Sequence, residues 1–203
     1  MRIAVLGTGV VGQTLAGKLR ELGHEVAIGS RTEGEDKRTF ADAAAFGEVV
    51  INATNGAVAL EALAAAGAEN LAGKVLIDVT NPLDFSRGLP PTLMVCNDDS
   101  VAEQIQRAYP DARVVKTLNT VTASLMVDPG SIPGEHTMFV AGDDEPAKTQ
   151  TVELLESFGW PRAAIVDLGD IGGARAQEMY LPLWLRLYRA FETPVVNIHV
   201  VKE

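Results

Sequence analysis

The run RIAVLGTGVVGQTLAGKLRELGHEVAIGSR, residues 2–31, restricts the fold more than any other stretch of the chain. Gly7, Gly9 and Gly12 stand in it as GxGxxG. That spacing alone is a weak signal, but its context is strong. An apolar run precedes it, an amphipathic stretch opens at Val10, and a second apolar run follows within about 30 residues. The pattern predicts strand, tight turn, helix, strand. Gly7 permits the turn, Gly9 lets backbone approach a pyrophosphate, and Gly12 lets helix and strand pack closely. The first helical residues, Val10 and Val11, belong to a helix end whose free amides and positive dipole face that anion. The plainer alternative is a glycine turn that only joins strand to helix.

The end of the second strand refines the expectation. A dinucleotide-binding unit normally carries an acid there, which accepts hydrogen bonds from the adenine-ribose hydroxyls and repels a 2′-phosphate. Here the chain reads Gly29-Ser30-Arg31, with no carboxylate before Glu33. A guanidinium grips phosphate bidentately and stacks on adenine, Ser30 can donate its hydroxyl, and Thr8 is near enough to donate a third bond. The expected cofactor is NADP(H) rather than NAD(H). The alternative leaves Arg31 as a solvated loop charge.

Val/Ile-rich runs alternate with Ala/Leu-rich stretches along the rest of the 203 residues. Strands are expected near 2–6, 25–29, 48–52, 74–78, 113–117, 137–141 and 163–167. Helices are expected near 10–22, 38–45, 56–67, 99–108, 144–158 and 173–190. Such alternation predicts an α/β fold, a doubly wound parallel sheet covered on both faces, with a small C-terminal helical part. The division expected is 1–168 for the cofactor-binding domain and 169–203 for a helix and tail, packed on the same domain or on a dimer partner. Asp98, Asp99 or Ser100 can cap the helix near 101. The long segments 80–97 and 118–136 leave the carboxyl ends of strands, where open α/β sheets bind ligands. The final turn-rich piece reads as an edge strand or a tail.

A net charge of −10 argues against nucleic acid or an anionic membrane as partner. No apolar run reaches the ~18–20 residues of a membrane span. A single cysteine, Cys96, allows no intrachain disulfide and fits a cytoplasmic protein. His24, His136 and His199 are scattered without metal-ligand spacing, so no metal is expected.

Over nearly its whole length the chain resembles the family of NADPH-dependent coenzyme F420 reductases. The resemblance rests on GTGxxG, GHEVAIGSR, VVKTLNT, VAGDDEPAK and DLGDIGGARAQEMYLPLWLRL. It implies a Rossmann domain, a homodimer, and hydride transfer between NADP(H) and the deazaflavin F420 as co-substrate. It sets Thr8, Ser30 and Arg31 on the 2′-phosphate, and Ala53, Thr54 and Asn55 beside the adenosine ribose and diphosphate. Asn81-Pro82 and the segment from Asn119 through Thr120 to Ala123 then line the nicotinamide. Two departures stand out. Glu35 occupies the place of a lysine in archaeal members, with Lys37 or Arg38 as substitutes, and Asn119-Thr120 replaces their His-Thr.

Hydride transfer needs stacked rings in dry surroundings, so no catalytic side chain is expected. Lys116 reads as a solvated strand-end charge or, less simply, a general acid. Arg175 and Arg87 are candidates for the acidic tail of F420. Trp184, Leu183, Leu187 and Tyr188 recur at helical spacing and read as core or dimer interface. The competing functions are an NADPH-dependent reductase of a flavin or other small acceptor, and an NADPH-sensing module without turnover.

Overall fold

The computed structural model describes residues 1–32, 34 and 37–203, so Glu33 and the departure at Glu35 lie outside the described residues. The elements run β1 (Arg2–Leu6), α1 (Val10–Glu21), β2 (Glu25–Ser30), β3 (Arg38–Thr39), α2 (Phe40–Phe46), β4 (Val49–Asn52), α3 (Ala59–Ala66), α4 (Ala68–Leu71), β5 (Val75–Asp78), β6 (Leu83–Asp84), β7 (Thr92–Leu93), α5 (Val101–Ala108), β8 (Arg113–Thr117), α6 (Ala123–Val127), β9 (Met138–Ala141), α7 (Glu145–Ser157), β10 (Ile165–Asp167), α8 (Ala174–Met179) and α9 (Leu181–Phe191).

Eight strands form one sheet in the order β10-β9-β8-β5-β4-β1-β2-β3. Chain order reverses beside β1, with β2 on one flank and β4 on the other, so a crevice opens over their carboxyl ends. Alternate side chains serve opposite faces. Ile3 and Val5 join a core with Leu15 and Leu19 of α1, Leu125 of α6 and Leu155 of α7. Ala4 and Leu6 join a second core with Phe40 of α2, Leu63 of α3 and Ile105 of α5. Both faces are covered, which is why the strands read as continuous apolar runs.

The sheet is mostly, not wholly, parallel. β9 runs antiparallel to β8, with Lys116 opposite Ala141, and β10 is parallel to β9. A parallel return needs a connection that travels the length of a strand. The only α-helix between β8 and β9 is the five-residue α6, about 7.5 Å long, followed by a single 3-10 turn at Pro129–Ser131, so the chain re-enters the sheet at the edge it left.

The expected helix over 173–190 is two helices, α8 and α9, separated at Tyr180. Pro182 lacks the N–H that would continue the ladder, and Leu183 and Trp184 instead bond back to the Tyr180 carbonyl. Segment 80–97 carries the β6–β7 hairpin, and 118–136 carries α6. The tail forms no strand. Ile198 accepts from the Thr137 amide at 2.8 Å, and the Val200 amide donates to Thr137 Oγ1 at 3.0 Å, so the tail lies beside the start of β9. Ser100 is the cap of α5: its Oγ accepts from the Glu103 amide at 3.1 Å and donates to the Glu103 carboxylate at 2.7 Å.

Trp160 is the bulkiest fully buried side chain and donates its indole N–H to the Met126 carbonyl at 3.0 Å, tying the end of α7 to α6. Trp160→Ala removes a large buried ring and leaves that carbonyl unpaired. A loss of about 3–5 kcal/mol is expected in urea unfolding.

Candidate functional site

The turn from β1 into α1 is built by backbone contact. Gly7 has φ +120°, and its amide donates to the Gly29 carbonyl at 2.9 Å. A Cβ at Gly7 would lie 2.5 Å from the Ala53 carbonyl oxygen, and one at Gly12 would strike the Gly7 carbonyl. Loop and helix are therefore as close as two main chains allow. Gly9 is the opposite case, for a Cβ there would meet nothing within 4 Å because it faces the cleft. Gly9 is also the N-cap of α1, without a side-chain cap, and the first helical bond runs from the Gln13 amide to the Gly9 carbonyl. The amides of Val10, Val11 and Gly12 precede that bond and are available to an anion. This cradle fits a pyrophosphate.

The cleft over these residues has a volume of about 780 Å³. Gly7, Thr8 and Gly9 form its floor, Ser30 and Arg31 one rim, and Ala53, Thr54 and Asn55 the other. Arg31 is exposed and Ser30 buried. The Ser30 hydroxyl donates to the Thr32 carbonyl and accepts from the Thr32 amide at 3.1 Å, which shapes the rim. Thr54 Oγ1 donates to Asn52 Oδ1 at 2.8 Å, and Asn55 Oδ1 accepts from the Ala57 amide at 2.9 Å. Phe40, Ala57, Val58, Ala62 and Ala65 supply an apolar wall suited to a flat base. Arg38 stacks over the Phe46 ring, 4.5 Å from its centroid, instead of reaching the rim.

A second cavity of about 230 Å³ adjoins the first and shares Ala53, Thr54 and Asn55 with it. Val11, Thr80, Asn81, Leu83 and Phe85 also line it. Beneath it, Asn81 and Asn119 exchange hydrogen bonds: Asn81 Nδ2 to the Asn119 carbonyl and Asn119 Nδ2 to Asn81 Oδ1, both 2.9 Å. Asn119 Nδ2 also reaches the Gln177 carbonyl at 3.1 Å. Asn119, Thr120, Pro82 and Ala123 are buried behind this surface, while Val10 is exposed at the start of α1.

Lys116 is neither a solvated charge nor a free acid. Its ammonium is fully buried, 2.6 Å from Asp78 Oδ2 and 2.9 Å from Glu178 Oε1, and donates to the Thr80 carbonyl at 2.6 Å. Burial opposes the charge, but the Asp78 and Glu178 carboxylates outweigh it and hold the Lys116 pKa above its ordinary 10.5. Its stabilising contribution is therefore complete at neutral pH and is lost only as pH rises above that range. Glu178 further accepts from the amides of Val101 and Ala102, at 2.9 and 3.3 Å, and so caps α5 from a distant part of the chain. Arg175 is committed as well, with Nε 2.8 Å and Nη2 2.5 Å from the Glu103 carboxylate.

The histidines stand apart from the cleft. His24 lies 3.4 Å from the amino terminus, and burial followed by that charge lowers its pKa. His136 Nε2 is 2.9 Å from the Pro129 carbonyl, and its ring meets Trp160 edge-on. His199 pairs with Glu135 at 3.6 Å. Among the described residues no group of three or more His, Cys, Asp or Glu is arranged to hold a metal ion. The apolar wall and the partners of Lys116 were missed by sequence reasoning. Asp78, the acid that ends β5, was the available signal.

A family model described as NADP oxidoreductase coenzyme F420-dependent matches residues 2–82. The F420-dependent NADP reductase of Methanothermobacter marburgensis is 34% identical over 213 residues, which is 92% of this chain and 92% of that protein. A solved structure from Arthrobacter sp. FB24, assigned to the F420-dependent NADP reductases, is 51% identical, with a TM-score of 0.94 over 100% of both chains. The rat Metalloreductase STEAP3 is 28% identical over 96% of this chain but only 38% of its own length.

Lys116→Met leaves Asp78 and Glu178 buried without their cation. A loss of about 3–5 kcal/mol is expected in denaturant titration, with α8 the first element to lose hydrogen-exchange protection.

Proposed function

Because the chain belongs to the family of coenzyme F420-dependent NADP oxidoreductases, we propose that its two joined cavities hold NADP(H) and that it transfers hydride between NADP(H) and F420. When bound, the two coenzymes supply the chemistry: a hydride leaves the nicotinamide C4 and arrives at the deazaflavin C5, or the reverse. The chain's own residues bind and orient. The α1 amides take the pyrophosphate, and the apolar wall from Phe40 to Ala65 takes the adenine. Ala53, Thr54 and Asn55 flank the ribose and diphosphate. The Asn81–Asn119 pair, with Pro82, Thr120 and Ala123 behind it, braces the wall that meets the nicotinamide. Positioning of this kind accounts for a large share of rate acceleration in bimolecular transfer.

One observation carries the choice of NADP(H): Ser30 and Arg31 form the cleft rim at the end of β2, where a ribose-binding acid would otherwise stand. Thr8 lines the same cleft. Arg31→Ala should weaken NADPH binding by roughly ten- to a hundredfold and leave NADH binding nearly unchanged, measured by fluorescence titration. Equal wild-type affinity for NADPH and NADH would overturn the assignment.

Arg87, exposed in the β6–β7 hairpin beyond Phe85, is the proposed contact for the acidic tail of the acceptor. Absorbance assays with NADPH against F420, FMN and FAD in turn should show turnover with F420. Turnover with a flavin alone would reassign the acceptor.

The homodimer is proposed from α9. Of its eleven residues only Leu181 is buried, while Leu183, Tyr188 and Phe191 are exposed apolar side chains on an amphipathic helix. A second copy of this chain is the proposed cover. Light scattering should give a dimer for the wild type and a monomer for the double variant Leu183→Glu/Tyr188→Glu. No helix among the described residues is long and apolar enough to cross a membrane, and with one cysteine in the chain the proposed location is the cytoplasm.

A further inference from the structure

The buried ion triad does not balance. Lys116 brings one positive charge, and Asp78 and Glu178 bring two negative ones. Both carboxylates sit among hydrogen-bond donors. Asp78 Oδ1 accepts from Asn52 Nδ2 at 2.9 Å, and its Oδ2 accepts from Lys116 Nζ at 2.6 Å and Thr80 Oγ1 at 3.1 Å. Glu178 accepts from Lys116 Nζ and from the Val101 and Ala102 amides. The ammonium, the Asn52 amide and the backbone N–H groups can only donate to these oxygens, and the Thr80 hydroxyl directs its proton to Asp78. The three side chains are 0%, 0% and 1% exposed, so one net negative charge is held away from water. The N-terminus of α5 offsets about half of an elementary charge, and Arg175 is already matched by Glu103.

The charge lies against the smaller cavity. Thr80, which lines that cavity, accepts from Lys116 through its carbonyl and donates to Asp78 through its hydroxyl. A buried charge is poorly screened over such a path. The nicotinamide ring is a cation when oxidised and neutral when reduced. Hydride transfer from NADPH moves two electrons and one proton together, so it creates that cation on the protein side, while the acceptor takes the hydride and one further proton from water.

We propose that the net negative charge of the Asp78–Lys116–Glu178 triad selectively stabilises the oxidised, cationic nicotinamide in the smaller cavity and so biases the bound couple toward giving up hydride. The inference rests on the reading that this cavity takes the nicotinamide. Asp78 and Glu178 act as electrostatic positioning residues, without touching the reacting atoms themselves. A triad that only fastened α8 would affect both redox forms alike.

The test is a ratio of affinities, measured on the full chain without turnover. Kd for NADP+ and for NADPH are determined by calorimetry for the wild type, Asp78→Asn and Glu178→Gln. Each variant removes one negative charge and keeps the side-chain shape. NADP+ binding should weaken relative to NADPH binding by about tenfold. Glu178→Gln keeps a carbonyl acceptor for the Val101 amide, so it carries the test if Asp78→Asn does not fold. An unchanged ratio, with both forms bound as in the wild type or both weakened equally, overturns the inference. A wild type that binds neither NADP+ nor NADPH overturns the proposed function and this inference with it. A wild type that binds both, with variants that leave the ratio unmoved, overturns this inference alone.

Discussion

Two main chains touch where β1 hands over to α1, and the ligand-binding edge exists because of that contact. At Gly7 and Gly12 any side chain would force apart the β1 turn, α1 and the Ala53 loop. With hydrogen in their place, the turn closes tightly enough to aim the start of α1 at the cleft. The same closeness lets Ala53, Thr54 and Asn55 serve both cavities, so that they form one continuous trough. Affinity for a highly charged cofactor on a chain of net charge −10 is thereby a local matter. In the proposed binding mode it rests on a few oriented amides and one rim guanidinium, not on the overall field.

The far end of the trough depends on a different device. β5 and β8 end side by side, with Asp78 in register with Lys116, and α8 lies across them. Two polar contacts fasten α8 to α5: Glu178 on its first amides, and Arg175 on Glu103. Replacing so buried a cation and its partners by apolar residues is often neutral or stabilising in other proteins. Its presence here is thus better understood through the charge it lends to the neighbouring cavity than through stability.

The glycine turn, the strand–helix alternation and the Ser30-Arg31 rim were legible in the sequence because each is a local pattern. The carbon skeleton of a strand alternates identically in either direction, so nothing in residues 137–141 told that β9 runs backwards; only the shortness of α6 does, and α6 lay hidden in a Pro-rich loop. The burial of Lys116 is illegible in the sequence for a related reason. Its partners stand 38 positions earlier and far downstream at Glu178, and strand register cannot be read from periodicity. Arg175 and Arg38 read in the sequence as cations open to a ligand, and the fold gives each a partner, Glu103 and the Phe46 ring. Trp184 and its neighbours carry the same apolar spacing whether they face a core or another molecule, so burial within one chain could not be inferred from the pattern.

The long-range cap on α5 also bears on how the molecule is made. Val101 and Glu178 are separated by 77 residues. At ribosomal rates of ~5–20 residues per second, the growing chain spends roughly 4–15 s with that helix end bare and the Lys116 pocket unclosed. During this interval the nascent polypeptide presents a half-built sheet edge, and that is the species a ribosome-associated chaperone would meet.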